Sequence, residues 1–303
     1  MDDYEVNIIG GGAAGLTAAL ILGRAGRRVL VCDAGEPRNA RSKSAHGLFT
    51  RDGTPPFELL RIAREQLAPY RTVRIEATVA ERLVKTNEAF ETTMRDGTGV
   101  RSRKILLATG IVDELPPTPG FSELWGFSVL HCPYCHGWEI RDQPVACYGS
   151  GQEAFDFCVL LTGWHSDIVL CSDGPANLTD EQRRLLSKNG IKVSEKAIAR
   201  LEASGETLEK IVFTDNETLE RKALYLSPKQ RVRLELLESL GCERMSDGYL
   251  RIDEAGQTTV RGLYVAGDVS RTGTHDLSLA VLSGARAGSA INRALLRENF
   301  GLP

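Results

Sequence analysis

The sequence predicts an α/β protein made of two Rossmann-like, three-layer nucleotide-binding domains. Three observations carry that expectation. A glycine turn between an apolar strand and an apolar helix opens the chain at Gly10–Gly15, and a second such turn recurs at Gly149–Ala154. Between them, Leu115-Pro116-Pro117-Thr118-Pro119-Gly120 is the strongest punctuation in the chain and reads as a domain crossing. At 303 residues the chain is long for one ordinary domain and comfortable for two.

Taken in order, Val6-Asn7-Ile8-Ile9 is a short apolar strand. Leu16 to Gly26 is an Ala- and Leu-rich helix, and Arg28-Val29-Leu30-Val31-Cys32 is a second strand ending at Asp33. The turn between them spells G-x-G-x-x-G. Gly10 permits a tight turn, Gly12 lets backbone approach a pyrophosphate, and Gly15 lets helix and strand pack closely. The helix N-terminus offers N–H donors to the phosphates, and Asp33 can accept from a ribose diol. Short alternating runs from Thr72 to Thr93 predict a small antiparallel sheet, closed by a turn at Arg95–Gly99. Lys104 to Gly110 is a buried strand ending in small residues.

After the crossing, Val145–Tyr148, the turn Gly149-Ser150-Gly151-Gln152-Glu153-Ala154, a helix through Leu161 and a strand Asp167–Leu170 repeat the pattern. Ala154 replaces the third glycine, which the pattern tolerates. Ser227-Pro228-Lys229 marks a return crossing. Gly262 to Asp268 is a late strand ending in Gly-Asp, followed by a helix from Leu277 to Leu296. Two such units predict a two-domain flavoprotein rather than a single-cofactor dehydrogenase.

Composition narrows the function classes. Thirty-seven basic and 40 acidic residues give a net charge of -3, which offers no global attraction for nucleic acid or an anionic membrane. Apolar stretches break before the ~20 residues needed to span a bilayer. The acidic start, Asp2-Asp3-Tyr4-Glu5, lacks the basic region of a signal peptide. A soluble, cytoplasmic protein is expected. Of seven cysteines, Cys32, Cys147, Cys158, Cys171 and Cys242 stand singly among apolar residues and are expected to be buried small hydrophobes.

Cys132 and Cys135 differ, in His131-Cys132-Pro133-Tyr134-Cys135-His136-Gly137-Trp138. A C-x-x-C pair can form and break a small-ring disulfide and commonly lowers one thiol's pKa. A zinc site would need a second ligand pair, which the sequence lacks, so no metal is expected. Covalent haem, which C-x-x-C-H also matches, normally needs export and leaves two nucleotide folds unexplained. Two inert neighbouring thiols are the plainer alternative; a redox disulfide is the favoured reading.

These motifs, with Ala108-Thr109-Gly110 and Ala266-Gly267-Asp268-Val269 in this order, resemble the low-molecular-weight thioredoxin reductases over essentially the whole chain. The resemblance implies an FAD domain assembled from residues 1–115 and 229–303, with a pyridine-nucleotide-type domain at 116–228 carrying the cysteines. Gly10, Gly12, Gly15 and Asp33 would hold the adenosine diphosphate half of FAD, and Asp268 its ribityl–pyrophosphate region. Ala14, Thr109, Gly110, Gly267 and Ala280 complete the implied cofactor contacts. Cys135 would lie against the flavin, and Cys132 would be the exchange thiol.

Three departures stand out. His136 occupies the place of an acidic residue after the second cysteine. Leu170-Cys171-Ser172-Asp173-Gly174 has no cation for a 2′-phosphate, and Ser278-Leu279-Ala280 replaces Arg-Gln-Ala. NAD(P)H use is therefore an open question, although Gly149, Gly151 and Ala154 still form a nucleotide-type turn. The C-x-x-C segment resembles that of the FAD-dependent dithiol oxidases of gliotoxin and holomycin biosynthesis, which His131, His136, Gly137 and Trp138 fit. Asn39 and His46 are the polar residues this resemblance would place near the flavin, with an exposed loop histidine as the alternative for His46. His131 and His136 flank the thiols as candidate bases.

The sequence is thus read as an FAD-dependent thiol–disulfide oxidoreductase, favoured as a dithiol oxidase passing electrons to oxygen. An NAD(P)H-driven thioredoxin-type reductase and a flavin redox sensor without turnover are the alternatives. Its partner would be a small dithiol or disulfide or a small redox protein, with the loop from Ser42 to Pro56 setting the choice. The resemblance implies a homodimer.

Overall fold

The computed structural model describes residues 2–87, 89–233, 235–270 and 275–302. The fold is α/β. Two compact units are present: Met1–Ala40, Gly47–Val112 and Arg231–Pro303 form the first, and Arg41–His46 with Asp113–Gln230 the second.

In the first unit a seven-stranded sheet runs in the order Val73–Ala77, Val29–Asp33, Asp2–Ile9, Gly99–Leu107, Phe90–Met94, Ala80–Lys85, with Leu263–Val265 also pairing with Gly99–Leu107. The Asp2–Ile9 strand pairs in parallel with Val29–Asp33 and with Gly99–Leu107. Both faces are covered, so side chains alternate between two cores instead of between core and water. Val6, Ile8, Val29, Val31 and Leu106 pack on the helices Ala13–Arg24 and Leu277–Asn299. Ile9, Leu30, Cys32, Ile105 and Leu107 cluster instead with Leu83, Phe90 and Met94 of the sheet's antiparallel strands and with Leu237 and Val269.

One sequence expectation needs correction. Val73–Ala77 is not part of an antiparallel sheet; it pairs in parallel with Val29–Asp33 at the sheet edge. The antiparallel pairing begins at Ala80–Lys85, which pairs with Phe90–Met94, which in turn pairs antiparallel with Gly99–Leu107. The alternation in the sequence signals a strand with one covered face, and edge strands of either sense share that signal.

The second unit repeats the plan with a five-stranded parallel sheet in the order Lys192–Ser194, Ile168–Cys171, Val145–Tyr148, Ala223–Leu226, Val129–Leu130. It adds an antiparallel three-stranded sheet, Ile198–Ser204, Thr207–Phe213 and Thr218–Glu220, that the sequence reading did not distinguish. Cys32, Cys147, Cys158 and Cys171 are buried as expected; Cys242 is only partly so. Burial pushes the Cys32 and Cys171 thiols up to about 12, which keeps them protonated and unreactive.

Arg41–His46 falls in the first sequence segment yet packs within the second unit. The Arg41 guanidinium donates to the carbonyls of Ser122 and Glu123, at 2.5 and 2.7 Å, and lies over the Phe127 ring. Lys43 pairs with Glu206. These partners lie about eighty or more positions away in sequence, so no local pattern announces them.

Candidate active site

The first unit builds a nucleotide cradle. Gly10 adopts φ +110°, and a Cβ there would lie 2.2 Å from the Ala108 carbonyl oxygen. A Cβ at Gly15 would lie 1.9 Å from the Gly10 carbonyl oxygen. Both positions therefore require glycine. A Cβ at Gly12 would meet nothing within 4 Å, so open space faces the start of the helix Ala13–Arg24. That helix has no side-chain cap and no acidic residue in its first turn, which leaves its N–H groups and partial positive charge for an anion. Asp33 closes the turn by accepting from Gly11 N–H at 3.2 Å, while Arg64 holds its other oxygen. Beyond it a cleft of about 600 Å³ is lined by Asp33, Ala34, Ala77, Thr78 and Val79, among others. Thr109 Oγ1 is buried with no hydrogen-bond partner among the described residues. An open cradle, an uncapped helix and an orphaned hydroxyl fit the pyrophosphate and polar groups of FAD.

Several other expected cofactor residues converge here. Gly267 (φ +78°) lies so close to Ala14 that an added Cβ would sit 3.0 Å from the alanine methyl. Gly267 N–H donates to Ser283 Oγ, which donates in turn to the Ala280 carbonyl. Asp268 forms a 3.4 Å ion pair with Arg38. Gly110 has φ +65° with open space beside it, and Asn39 is half-buried on the loop after the second strand. Arg38, Ser283 and Arg64 escaped the sequence reading because each is defined by a partner distant in sequence.

In the second unit Cys132 and Cys135 are joined as a disulfide with Cα atoms 5.3 Å apart. Cys132 caps the single helical turn Pro133–His136, and its sulfur accepts from Cys135 N–H at 3.1 Å. Pro133 suits the first helical position, where no N–H is needed. Gly137 is required by close approach, since a Cβ there would lie 2.8 Å from the Trp164 ring. Tyr134 packs edge-on against Trp164, and the Arg141 guanidinium lies 4.1 Å from the Trp138 ring centre. Tyr134 and Trp138 are nevertheless mostly exposed, and together they make an aromatic surface around the disulfide segment.

The histidines sit differently. His131 lies against Trp125, ring centres 5.5 Å apart. His46, expected beside the flavin, is grouped with the second unit, where its Nε2 lies 3.4 Å from Glu139. His136 Nε2 lies 3.1 Å from Ser42 Oγ, and its Nδ1 is buried with no partner among the described residues. Burial holds the His136 pKa below the ordinary 6.5; Glu139 opposes this shift and His46 adds to it. The side chain is therefore a neutral imidazole near pH 7, able to accept a proton.

The second glycine turn is more occupied. Gly149 N–H donates to the Cys171 carbonyl, and Gly151 N–H, the first of the helix Gly151–Leu161, donates to the Ala176 carbonyl at 2.8 Å. Asp173 accepts from Ile198 N–H at 2.6 Å and from the Tyr148 hydroxyl at 3.2 Å. Among the described residues no cluster of three or more His, Cys, Asp or Glu could hold a metal ion. No helix there is long and apolar enough to cross a membrane.

Comparisons with known proteins agree with this architecture. The model of the pyridine nucleotide-disulphide oxidoreductase family matches residues 4–286. The thioredoxin reductase tcpT of Claviceps purpurea is 31% identical over 309 residues, covering 97% of this chain and 95% of that protein. A probable thioredoxin reductase of Arthroderma benhamiae is 28% identical, covering 97% and 81%. Among solved structures, HlmI superposes with a TM-score of 0.93 at 35% identity, covering 99% of this chain and 94% of that one. A putative thioredoxin reductase TrxB from Bacillus anthracis gives 0.93 at 32% identity, covering 98% and 99%.

Proposed function

The chain belongs to the pyridine nucleotide-disulphide oxidoreductase family and is a flavin-dependent disulfide oxidoreductase of thioredoxin-reductase-like fold; from that premise we propose that it works as a dithiol oxidase. One thiol of a small dithiol, deprotonated by His136, attacks Cys132; the Cys132–Cys135 bond breaks and Cys135 leaves as a thiolate. The second substrate thiol then displaces Cys132, releasing a substrate disulfide and leaving both protein cysteines reduced. FAD would be held by the turn of Gly10, Gly12 and Gly15 with Asp33 in the first unit, and when bound would supply a two-electron acceptor for the reduced cysteine pair, with oxygen as the final acceptor. The net change is dithiol plus oxygen to disulfide plus hydrogen peroxide.

The observation that carries the direction is the second glycine turn. Its leading helix N–H is spent on the Ala176 carbonyl, its acid is spent on Ile198 and Tyr148, and Leu170–Pro175 contains no cation. A nucleotide phosphate meets little there that it could bind. The competing reading, an NAD(P)H-driven reductase of a small redox protein, is favoured by the names of the relatives and by the glycines at 149 and 151. A homodimer is part of the proposal and is read by light scattering.

Anaerobic titration tests the proposal. The purified protein should be yellow, and its flavin should bleach with a dithiol, recover in air with release of peroxide, and bleach slowly or not at all with NADPH or NADH. Cys132→Ser should show a long-wavelength thiolate–flavin band, Cys135→Ser should not, and both should lose dithiol turnover. Bleaching by NADPH at a rate rivalling the dithiol would transfer the case to the reductase.

A further inference from the structure

We propose that Arg38 is a positioning residue of the flavin cradle, one that offsets the charge of Asp268 and so keeps the open helix N-terminus beside that acid attractive to the cofactor's pyrophosphate; this rests on the reading of the first unit as an FAD cradle. The acids at that cradle pose an electrostatic difficulty. Gly267 packs so closely on Ala14, in the first turn of the helix Ala13–Arg24, that an added Cβ would lie 3.0 Å from the alanine methyl. Asp268 follows it directly. Asp33 reaches the preceding turn through Gly11 N–H. A helix N-terminus is worth roughly half a positive charge. One unpaired carboxylate beside it would more than cancel that charge, and two would make the site repel an anion.

Each acid has an arginine. Arg64 Nη2 donates to Asp33 Oδ2, and Arg38 Nη1 lies 3.4 Å from Asp268 Oδ2. With both arginines in place the acids are offset, and the helix end keeps its own partial charge. The two pairs differ in weight. The Arg64 side chain is 39% exposed, so water and salt screen its pair, and Asp33 is held besides by the N–H groups of Gly11 and Gly35. The Arg38 and Asp268 side chains are only 17% and 19% exposed, where charges are screened less. Arg38 is therefore the partner whose loss the cradle feels more.

Local backbone presents the residue. Ala40 N–H donates to the Pro37 carbonyl at 2.9 Å, and the turn so closed carries Arg38 on the loop after the second strand; Asp268 arrives from 230 positions away. A guanidinium suits the task because it stays charged across the whole working pH range. It acts through Asp268, and nothing in the role requires it to touch a phosphate.

Dilution of the purified flavoprotein, read by the fluorescence of released FAD, measures the affinity, with circular dichroism on each variant. Arg38→Gln should weaken FAD about tenfold, Arg38→Met, a second neutral variant of similar length, by a similar factor, and Arg38→Lys by less than about threefold. The decisive readout is a double-mutant cycle. With Asp268→Asn already in place, Arg38→Gln should cost less than about twofold, because the charge it offsets is gone. A residue that merely propped the loop would cost the same with either side chain at 268. Unchanged affinity in both neutral variants, or an equal loss with and without Asp268→Asn, would overturn the proposal. If wild type carries no FAD and takes up none when it is added, the cradle reading itself falls; if wild type binds FAD and the cycle shows no coupling, only the role of Arg38 falls.

Discussion

At Gly10–Gly15 the helix begins with no cap, no acidic residue in its first turn and open space in front of Gly12. At Gly149–Ala154 the helix begins with its first N–H already bonded to Ala176 and with Glu153 in its first turn. The acids after the second strands are both engaged, Asp33 by Gly11 N–H and Arg64 and Asp173 by Ile198 N–H and the Tyr148 hydroxyl, so they do not by themselves separate the two turns. Both turns keep positive-φ glycines and both pack a helix on a parallel strand. The motif thus specifies the shape of a nucleotide turn, and the neighbouring loop decides whether its donors remain available. A helix N-terminus attracts phosphate only through N–H groups that nothing else has taken.

The largest expected effect separates the turns outright. Gly12 has an extended backbone and free space for a side chain, so Gly12→Val leaves the fold intact and fills the pyrophosphate's place. Losing two charge-assisted contacts at about 1.5–3 kcal/mol each should weaken FAD by roughly 10²-fold or more. Ser150→Val, exposed in the second turn, should change FAD affinity by less than about twofold. Equilibrium dialysis with circular dichroism checks both, and equal losses in the two variants would break the contrast.

Next in size is the base. His136→Gln should slow the dithiol half-reaction by on the order of 10²–10⁴-fold if its ring takes the thiol proton. Stopped-flow bleaching of the flavin by a dithiol measures it. An effect under about threefold would assign that proton elsewhere.

A smaller effect asks which deficiency dominates the second turn. Adding a cation with Pro175→Arg, on an exposed loop, supplies a charge-assisted contact worth up to one or two powers of ten in affinity. Because the helix N–H stays bonded to Ala176, the gain for NADPH should remain below about tenfold. A larger gain in flavin reduction by NADPH would show that charge alone had closed the site.

The smallest effect is on stability. Burial lowers the pKa of both His136 and His165 below the ordinary 6.5. As pH falls through 6.5 the unfolded chain takes up protons before the folded one, so stability present above 6.5 is lost until the folded-state values are passed. Melting temperature should therefore fall as the pH drops from neutrality through 6.5, and His165→Gln should flatten part of that slope. A melting temperature that rises on acidification would reverse the sign.

The sequence by itself determined whatever consecutive residues can specify. Gly10, Gly12 and Gly15 between two apolar runs dictate a strand–turn–helix, because each glycine answers a local steric demand of that turn. Cys132 and Cys135 dictate a disulfide for the same reason, since one helical turn brings them within bonding reach. The lack of a cation at Leu170–Pro175 is likewise legible without coordinates. Tertiary structure decided the pairing of polar groups across long separations. It put Val73–Ala77 parallel at the sheet edge, where alternation alone had suggested an antiparallel partner. Ala176 was folded onto the Gly151 N–H, and Arg41–His46 was carried into the second unit, so that Ser42 meets His136 across 94 positions. A periodic pattern reports which face of an element is buried, whereas a single proton's acceptor depends on which distant atom the completed fold brings within 3 Å or so.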